Sequence, residues 1–303
     1  MTISDALSNV GFGAGWSVVK AMPEPAARRL FNALADRTWK QQGRGVLQLR
    51  ANLARVLDDD QLPHLDEVTH EGVRRYMRYW CEAFRLPAWS PERVNESFDL
   101  VRGRDLLDAA MADGRGAVMV IPHMGNWDLA GAWACQRYGT LVTVAERLKP
   151  EGLYDKFVSY RESLGMEVHP LGDPDVIRTL VRRLRDGKLV CLLADRDLSH
   201  TGVPVDFFGE SASLPAGPAV LSMMTGAPMM PVALWHTPER VEGEIYPALT
   251  VPEGGTREER VARMTQEMAD AFAAGIAAHP QDWHMMQRLW AADLEPGRLE
   301  AAR

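Results

Sequence analysis

Ala117-Val118-Met119-Val120-Ile121-Pro122-His123-Met124-Gly125-Asn126-Trp127-Asp128 sets the reading of this chain. Val118 to Ile121 is an unbroken apolar run stopped by a proline, the pattern of a short strand buried on both faces. Asp128 opens an apolar helical pattern through Leu129, Trp133 and Ala134, and a carboxylate suits the first turn of a helix. His123 therefore stands where a strand exits, with Asp128 five positions on in the next helix. Such a junction can aim both side chains into one cleft. A carboxylate that accepts the proton of one imidazole nitrogen leaves the other nitrogen as a base. No serine or cysteine lies inside the stretch, so the simplest group for that base to activate is a hydroxyl on a substrate.

Working outward, the strand–helix unit recurs from residue 100 onward. Candidate strands cover 117–121, 140–144, 166–169, 188–194 and 228–234. Helical patterns occupy 104–113, 127–138, 151–164, 174–186 and 215–225, with a late helix over 257–278. This alternation predicts an α/β fold with a central, mainly parallel sheet covered by helices on both faces. Ligand sites in such sheets form beyond the carboxyl ends of the strands. His123 and Asp195 both follow strands, which points to a shared site.

Upstream, residues 1–100 read as an N-terminal helical region of one domain spanning 1–303. Ile3, Leu7, Val10 and Ala14 share a face, although Gly11, Gly13 and Gly15 weaken that helix. Ala27, Leu30, Phe31, Leu34 and Thr38 form a second stripe, with Arg28, Arg29 and Arg37 on other faces and Trp39 at its end. A basic, tryptophan-flanked amphipathic helix suits a bilayer interface; packing on the protein's own core is the plainer alternative. Residues 66–86 form a strong helix with Val73, Tyr76, Met77, Trp80 and Phe84 on one face, read as core.

Composition narrows the class. The 303 residues have an ordinary globular balance and a net charge of −7. Residues 1–55 carry eight basic side chains against three acids, a surplus of five, so the remainder holds −12. A basic arm on an acidic body is no nucleic-acid signature by itself but suits an anionic membrane surface. Cys81, Cys135 and Cys191 make no CxxC pair, which argues against a disulfide framework or structural zinc and fits a reducing cytosol. Cys135 and Cys191 read as packing rather than nucleophiles. No signal peptide is expected, and no run of about 18 apolar residues suggests a membrane span. There is no G-x-S-x-G elbow, Walker A loop or H-E-x-x-H, and Gly11 to Gly15 lacks the preceding strand of a dinucleotide loop.

Asp195-Arg196-Asp197 follows the apolar run Leu189 to Ala194. It reads either as a solvated loop with a local ion pair or as a second site element whose acid steadies the imidazolium of His123. Met223, Met224, Met229 and Met230 cluster near Gly226. They suit core filling, and an acyl-chain groove would use the same residues.

The H-x4-D pair at a strand-to-helix junction resembles the hallmark of the glycerophospholipid acyltransferase superfamily. Pro122 to Asp128 is similar to its bacterial lipid A acyltransferase branch. Within that branch four segments resemble actinobacterial phosphatidylinositol mannoside acyltransferases: Gly15-Trp16 through Met22-Pro23, Tyr79 through Pro87, Asp195 through Glu210, and Asp282-Trp283-His284-Met285. The resemblance spans nearly the whole chain.

It implies an acyl-CoA-dependent O-acyltransferase, peripheral on the cytoplasmic face of the plasma membrane. Such an enzyme moves a long acyl group, typically palmitoyl, to a mannose 6-hydroxyl of a phosphatidylinositol mannoside. The implied partners are acyl-CoA, the mannosylated lipid and the inner membrane face, with no metal, no nucleic acid and no cofactor beyond the donor. By position His123 is the base and Asp128 belongs to the motif. Glu146 and Arg161 match polar residues of the cleft, and Arg196 and His284 join them as substrate-binding candidates. The family's acid partner of the histidine is a glutamate; Asp195 holds the matching position here, with Asp128 and Asp197 as alternatives. Acylation of another glycolipid or a lysophospholipid, acyl-CoA thioester hydrolysis, and non-catalytic lipid binding are the competing functions.

Overall fold

The computed structural model describes residues 16, 18–147, 151–198 and 201–294. The Ile3–Ala14 pattern lies outside the described residues. Three helices lead the described fold: α1 (Glu24–Gln41), α2 (Arg44–Val56) and α3 (Leu65–Arg85). Short α4 (Pro91–Ser97), β1 (Phe98–Arg102) and α5 (Arg104–Ala112) follow. The deciding stretch forms β2 (Ala117–Ile121) and α6 (Trp127–Tyr138). Then come β3 (Leu141–Ala145), α7 (Glu151–Ser163), β4 (Met166–Pro170), α8 (Val176–Arg185) and β5 (Leu189–Leu193). The hairpin β6 (Val203–Phe207) and β7 (Glu210–Leu214) precedes α9 (Gly217–Thr225), β8 (Met229–His236), β9 (Val241–Ile245) and α10 (Arg257–Ala278).

Seven strands form one sheet in the order β1-β9-β8-β2-β5-β3-β4. β8, β2, β5, β3 and β4 run parallel; β9 is antiparallel to β8, and β1 is parallel to β9. The fold is α/β and mainly parallel, as the alternation predicts. α4 and α6 pack over β1, β3 and β4, while α8, α9 and α10 serve β2, β5 and β8. Every residue of β2 and of β8 is buried, which explains the unbroken apolar run of β2 and of β8 up to its terminal His236. The chain leaves β2 toward β3 on one side, and leaves β5 toward β8 on the other. That reversal opens a crevice at the carboxyl ends of β2 and β5.

Several elements were not anticipated. β1 and β9 are five-residue strands, each carrying two charged residues, too short to stand out from loop. The β6–β7 hairpin turns on Phe208 and Gly209, both at positive φ. Phenylalanine is not a usual residue there, so the turn signal is weak. α2 was also unforeseen, although Val46, Leu49, Leu53 and Val56 are buried at helical spacing.

The second N-terminal stripe divides in two. Ala27 and Phe31 pack with Cys81, Met77 and Phe84 of α3, whereas Leu30 and Leu34 remain about two-fifths exposed. Packing on the protein's own core thus accounts for only half of that apolar face. The aromatic stripe of α3 also divides. Val73 is fully buried in the core, but Tyr76 and Trp80 line a cavity, so reading the whole stripe as core is corrected. The cause is that α3 lies across the mouth of the crevice and offers that face partly to open space.

Candidate active site

The register of β2 against β5 builds the site. Ala117 to Ile121 pair in order with Leu189 to Leu193, and the ladder continues with Ala194 N–H donating to Ile121 O at 3.0 Å. His123 and Asp195 each lie two residues past their strand, so equal register brings them level. Asp195 Oδ1 stands 2.5 Å from His123 Nδ1, while Oδ2 accepts from the His123 backbone N–H at 2.8 Å and from Trp283 Nε1 at 2.9 Å. Asp195 is fully buried. Burial alone raises its pKa, but the charge and hydrogen bonds of His123, with the Trp283 bond, outweigh it and hold the carboxyl below the ordinary range. An ionised carboxylate only accepts, so Nδ1 of His123 carries a proton toward Asp195, and Nε2 is the ring nitrogen turned away from that carboxylate. The His123 side chain keeps 29% of its surface exposed, enough to meet a substrate.

Asp128 does not partner the imidazole. Its Oδ1 accepts from Arg161 Nε at 2.9 Å and its Oδ2 from Tyr79 Oη at 2.9 Å, and it is almost fully buried. Burial and the Asp128 charge push the Tyr79 phenol well above its usual value, so it stays a donor. The acid of the motif thus ties α6 to α3 and α7. The alternative that pairs Asp128 with His123 is set aside because both its oxygens are engaged elsewhere. Asp197 accepts from the Gly202 backbone N–H at 3.1 Å and sits in the loop after β5.

The loop between β2 and α6 is held from several sides. Asn126 caps α6, its Oδ1 accepting from Leu129 N–H at 3.0 Å. Gly125 has φ +59°, and a Cβ there would come within 2.7 Å of the Leu234 backbone. Only glycine meets both demands. His284 donates its backbone N–H to His123 O at 2.7 Å, and its Nε2 lies 3.0 Å from Gly125 O. Burial pushes the His284 ring down to about 4, so it is neutral: Nε2 donates and the buried Nδ1 is an unfilled acceptor. The unfolded chain binds a proton between the ordinary 6.5 and about 4 that the folded ring refuses. Stability contributed here is present above pH 6.5 and falls as pH drops through that window. Replacing His284 by Gln should remove on the order of 1–2 kcal/mol of the stability difference between about pH 7 and pH 5. Thermal or urea melts at the two pH values check it; equal pH slopes in both proteins contradict a buried neutral ring.

These groups face a cavity of about 550 Å³ lined by His123, Tyr76, Trp80, Trp127, Arg161, His284 and many aliphatic side chains of β3, α7 and α8. Glu146 and Arg196 line it too and pair at 3.8 Å. The structure therefore gathers His123, Glu146, Arg161, Arg196 and His284 around one space, with Asp195 behind His123 and Asp128 behind Arg161. No serine, threonine or cysteine is among its described lining residues. Burial pushes the Cys81 thiol up to about 11 and Cys191 higher still, as befits packing residues. A smaller apolar cavity of about 80 Å³ lies under α6 and shares Trp127, Val144, Arg161, Leu192 and Leu193 with the first. Tyr79 and Trp283 were missed as site-building residues. Both lie in segments that carry the resemblance, but nothing local marks an indole or a phenol as a carboxylate's donor.

The family model described as bacterial lipid A biosynthesis acyltransferase matches residues 7–292. The chain belongs to this family. It is an acyltransferase by that membership. It is also 46% identical to a phosphatidylinositol mannoside acyltransferase of Mycobacterium tuberculosis (strain H37Rv), across 100% of this chain and 94% of that protein. A protein of the same name from Mycolicibacterium smegmatis is 46% identical across 96% of this chain and 94% of its own length. In the lipid A acyltransferase family member described here, the H-x4-D pair spans the junction of β2 and α6.

Proposed function

We propose that the chain moves a long-chain acyl group, with palmitoyl expected from the resemblance, from acyl-CoA to a mannose 6-hydroxyl of a phosphatidylinositol mannoside. The observation that carries the reading is the His123–Asp195 pair at the wall of a largely apolar cavity whose described lining residues include no serine, threonine or cysteine. His123 Nε2 takes the hydroxyl proton as the sugar oxygen attacks the thioester carbonyl. Asp195 steadies the imidazolium. The C–S bond then breaks, and the proton passes from His123 to the departing thiolate, giving the ester and free coenzyme A. The aliphatic walls suit the acyl chain. Glu146 and Arg161 are the polar groups for a sugar headgroup. A second, more polar cavity of about 1180 Å³ adjoins through Arg196, Asp197, Met286 and Gln287 and adds Arg44 and Arg288, which suits a donor bearing phosphates. The relatives' names supply the acceptor.

Labelled palmitoyl-CoA offered with mannosylated phosphatidylinositol, a lysophospholipid or no acceptor tests the reading. Label in the mannolipid, with one thiol released per ester, is expected. Free fatty acid alone identifies a thioesterase, transfer only to the lysophospholipid replaces the acceptor, and lipid binding without turnover removes the catalytic reading.

A lipid acceptor calls for access to a membrane, and no helix among the described residues is long and apolar enough to cross one. We propose docking on the cytoplasmic face through α1, where Leu30 and Leu34 are exposed beside Arg29, Arg37 and Lys40. Arg28 is engaged with Glu24 at 2.9 Å and Trp39 stacks on His70, so neither is left wholly to the bilayer. Changing Arg29, Arg37 and Lys40 to Gln should weaken binding to anionic liposomes by roughly 100-fold, at about 1 kcal/mol per charge, and flatten its salt dependence. Cosedimentation measures it; unchanged binding excludes α1 as the docking face.

A further inference from the structure

Beneath the loop of His123, outside the cavity, lies a second cluster of charged side chains. His236 ends β8 with its side chain fully buried. Its Nδ1 stands 2.8 Å from Asp282 Oδ1, which also accepts the His236 backbone N–H at 3.0 Å. Its Nε2 stands 3.4 Å from Glu82 Oε2, an ion-pair contact rather than an aligned hydrogen bond. Glu82 further accepts from Arg78 Nε at 2.8 Å and from Asn126 Nδ2 at 2.8 Å. One imidazole thus lies between two buried carboxylates.

Both acidic residues grip the loop. Glu82 holds the side chain of Asn126, the cap of α6. Asp282 accepts the Gly125 N–H on its backbone carbonyl at 2.9 Å. Two ionised carboxylates in an apolar interior need nearby positive charge. Arg78 supplies one such charge, on the far oxygen of Glu82. Arg75, also on α3, pairs through Nε with Glu71 and donates through a terminal nitrogen to His236 O. From the remaining neighbours, His279 stacks on Trp235, His284 is held neutral, and Arg240 pairs with Asp99 and Glu242. The imidazole of His236 is the group that touches both carboxylates. Burial opposes its protonation, but the hydrogen bond to Asp282 and the contact and charges of Asp282 and Glu82 outweigh burial and raise its pKa.

We propose that His236 is a positioning residue: as an imidazolium between Glu82 and Asp282 it binds α3, the end of β8 and the 282–284 segment together and so holds the loop of His123 in register for transfer. The activity readout of this inference rests on the acyl-transfer reading; the structural readout does not. A raised folded-state pKa means the contribution is complete below the ordinary 6.5 and is lost as pH rises through the folded value. The loss therefore falls on the alkaline side.

Three full-length proteins test it: wild type, His236→Gln, and His236→Gln with Asp282→Asn. The single variant removes the positive charge and leaves a donor for Asp282. The double variant restores charge balance and keeps the backbone carbonyl that holds Gly125. Expected is a fall in kcat of about 10–100-fold in the single variant from loop misplacement, with KM for both substrates within about three-fold. The double variant should regain most of that loss and lack the alkaline decline. Amide exchange at Gly125 should quicken by about ten-fold or more in the single variant only. A kcat within about two-fold of wild type in the single variant, or a folded double variant no better than the single one, overturns the proposal. If the single variant does not fold, ¹⁵N-histidine NMR of the wild type decides. Protons on both ring nitrogens of His236 at neutral pH support the proposal, and a neutral ring there overturns it. An inactive wild type with a cationic His236 sinks the acyl-transfer reading alone.

Discussion

Replacing His123 by Ala should lower acyl transfer by about 10²–10⁴-fold while leaving the fold intact. The imidazole is partly exposed, and its side-chain bond to the rest of the protein runs through Nδ1 to Asp195. Its loss therefore removes the proposed base without hollowing the core. The loop keeps its backbone bonds, from His284 N–H to His123 O and from His123 N–H to Asp195. Asp195→Asn should cost a comparable factor through a different route. An amide in that place offers one acceptor oxygen where the carboxylate serves three donors, so the imidazole loses the partner that fixes its tautomer. Initial rates with labelled acyl-CoA and acceptor, alongside melting curves, measure both. Near-wild-type rates in a folded His123→Ala protein would remove the base mechanism.

Asp128→Ala should act mainly on stability. Arg161 is nearly buried, and the charge of Asp128 together with their hydrogen bond keeps its guanidinium strongly protonated against burial. Deleting the carboxylate strands that cation and the Tyr79 hydroxyl. Breaking a buried pair by removing one partner costs about 3–5 kcal/mol, roughly five to eight degrees in Tm for a chain of this size. Asp128→Asn keeps an acceptor oxygen and should cost less. Combining Asp128→Asn with Arg161→Met should recover part of the loss, because no charge then lies unpaired. Calorimetry of the three variants measures this; an Asp128→Ala protein as stable as wild type contradicts the buried pair. Activity should fall with it only as far as the junction loosens, since Asp128 makes no bond to His123.

The pattern of residues was most legible where one element determines itself. β2 and α6 match their expected spans of 117–121 and 127–138, because an unbroken apolar run ending in proline and a capped apolar helix start are local features. The parallel strands β3, β4, β5 and β8 were legible as well. β1, β9 and the β6–β7 hairpin were not, since each owes its existence to a neighbour: β9 to the ladder with β8, β1 to β9, and the hairpin to a turn with Phe208 at positive φ. At the site, His123 could be read from its place after a strand. Tyr79, Trp283 and Glu82 could not, because each reaches the site from an element far along the chain.

By itself, then, the sequence determined an α/β alternation, the histidine at a strand exit, the absence of a nucleophile in the motif, and the family these residues resemble. Those follow from periodicity, capping and side-chain chemistry within a few turns of chain. Only the tertiary structure decided which acid serves His123. Spacing of five residues put Asp128 nearest in sequence, but the parallel register of β2 and β5 set Asp195 level with the imidazole, while Tyr79 and Arg161 drew Asp128 away. Strand register and helix docking are long-range choices made by burial of whole faces, and no local spacing encodes them.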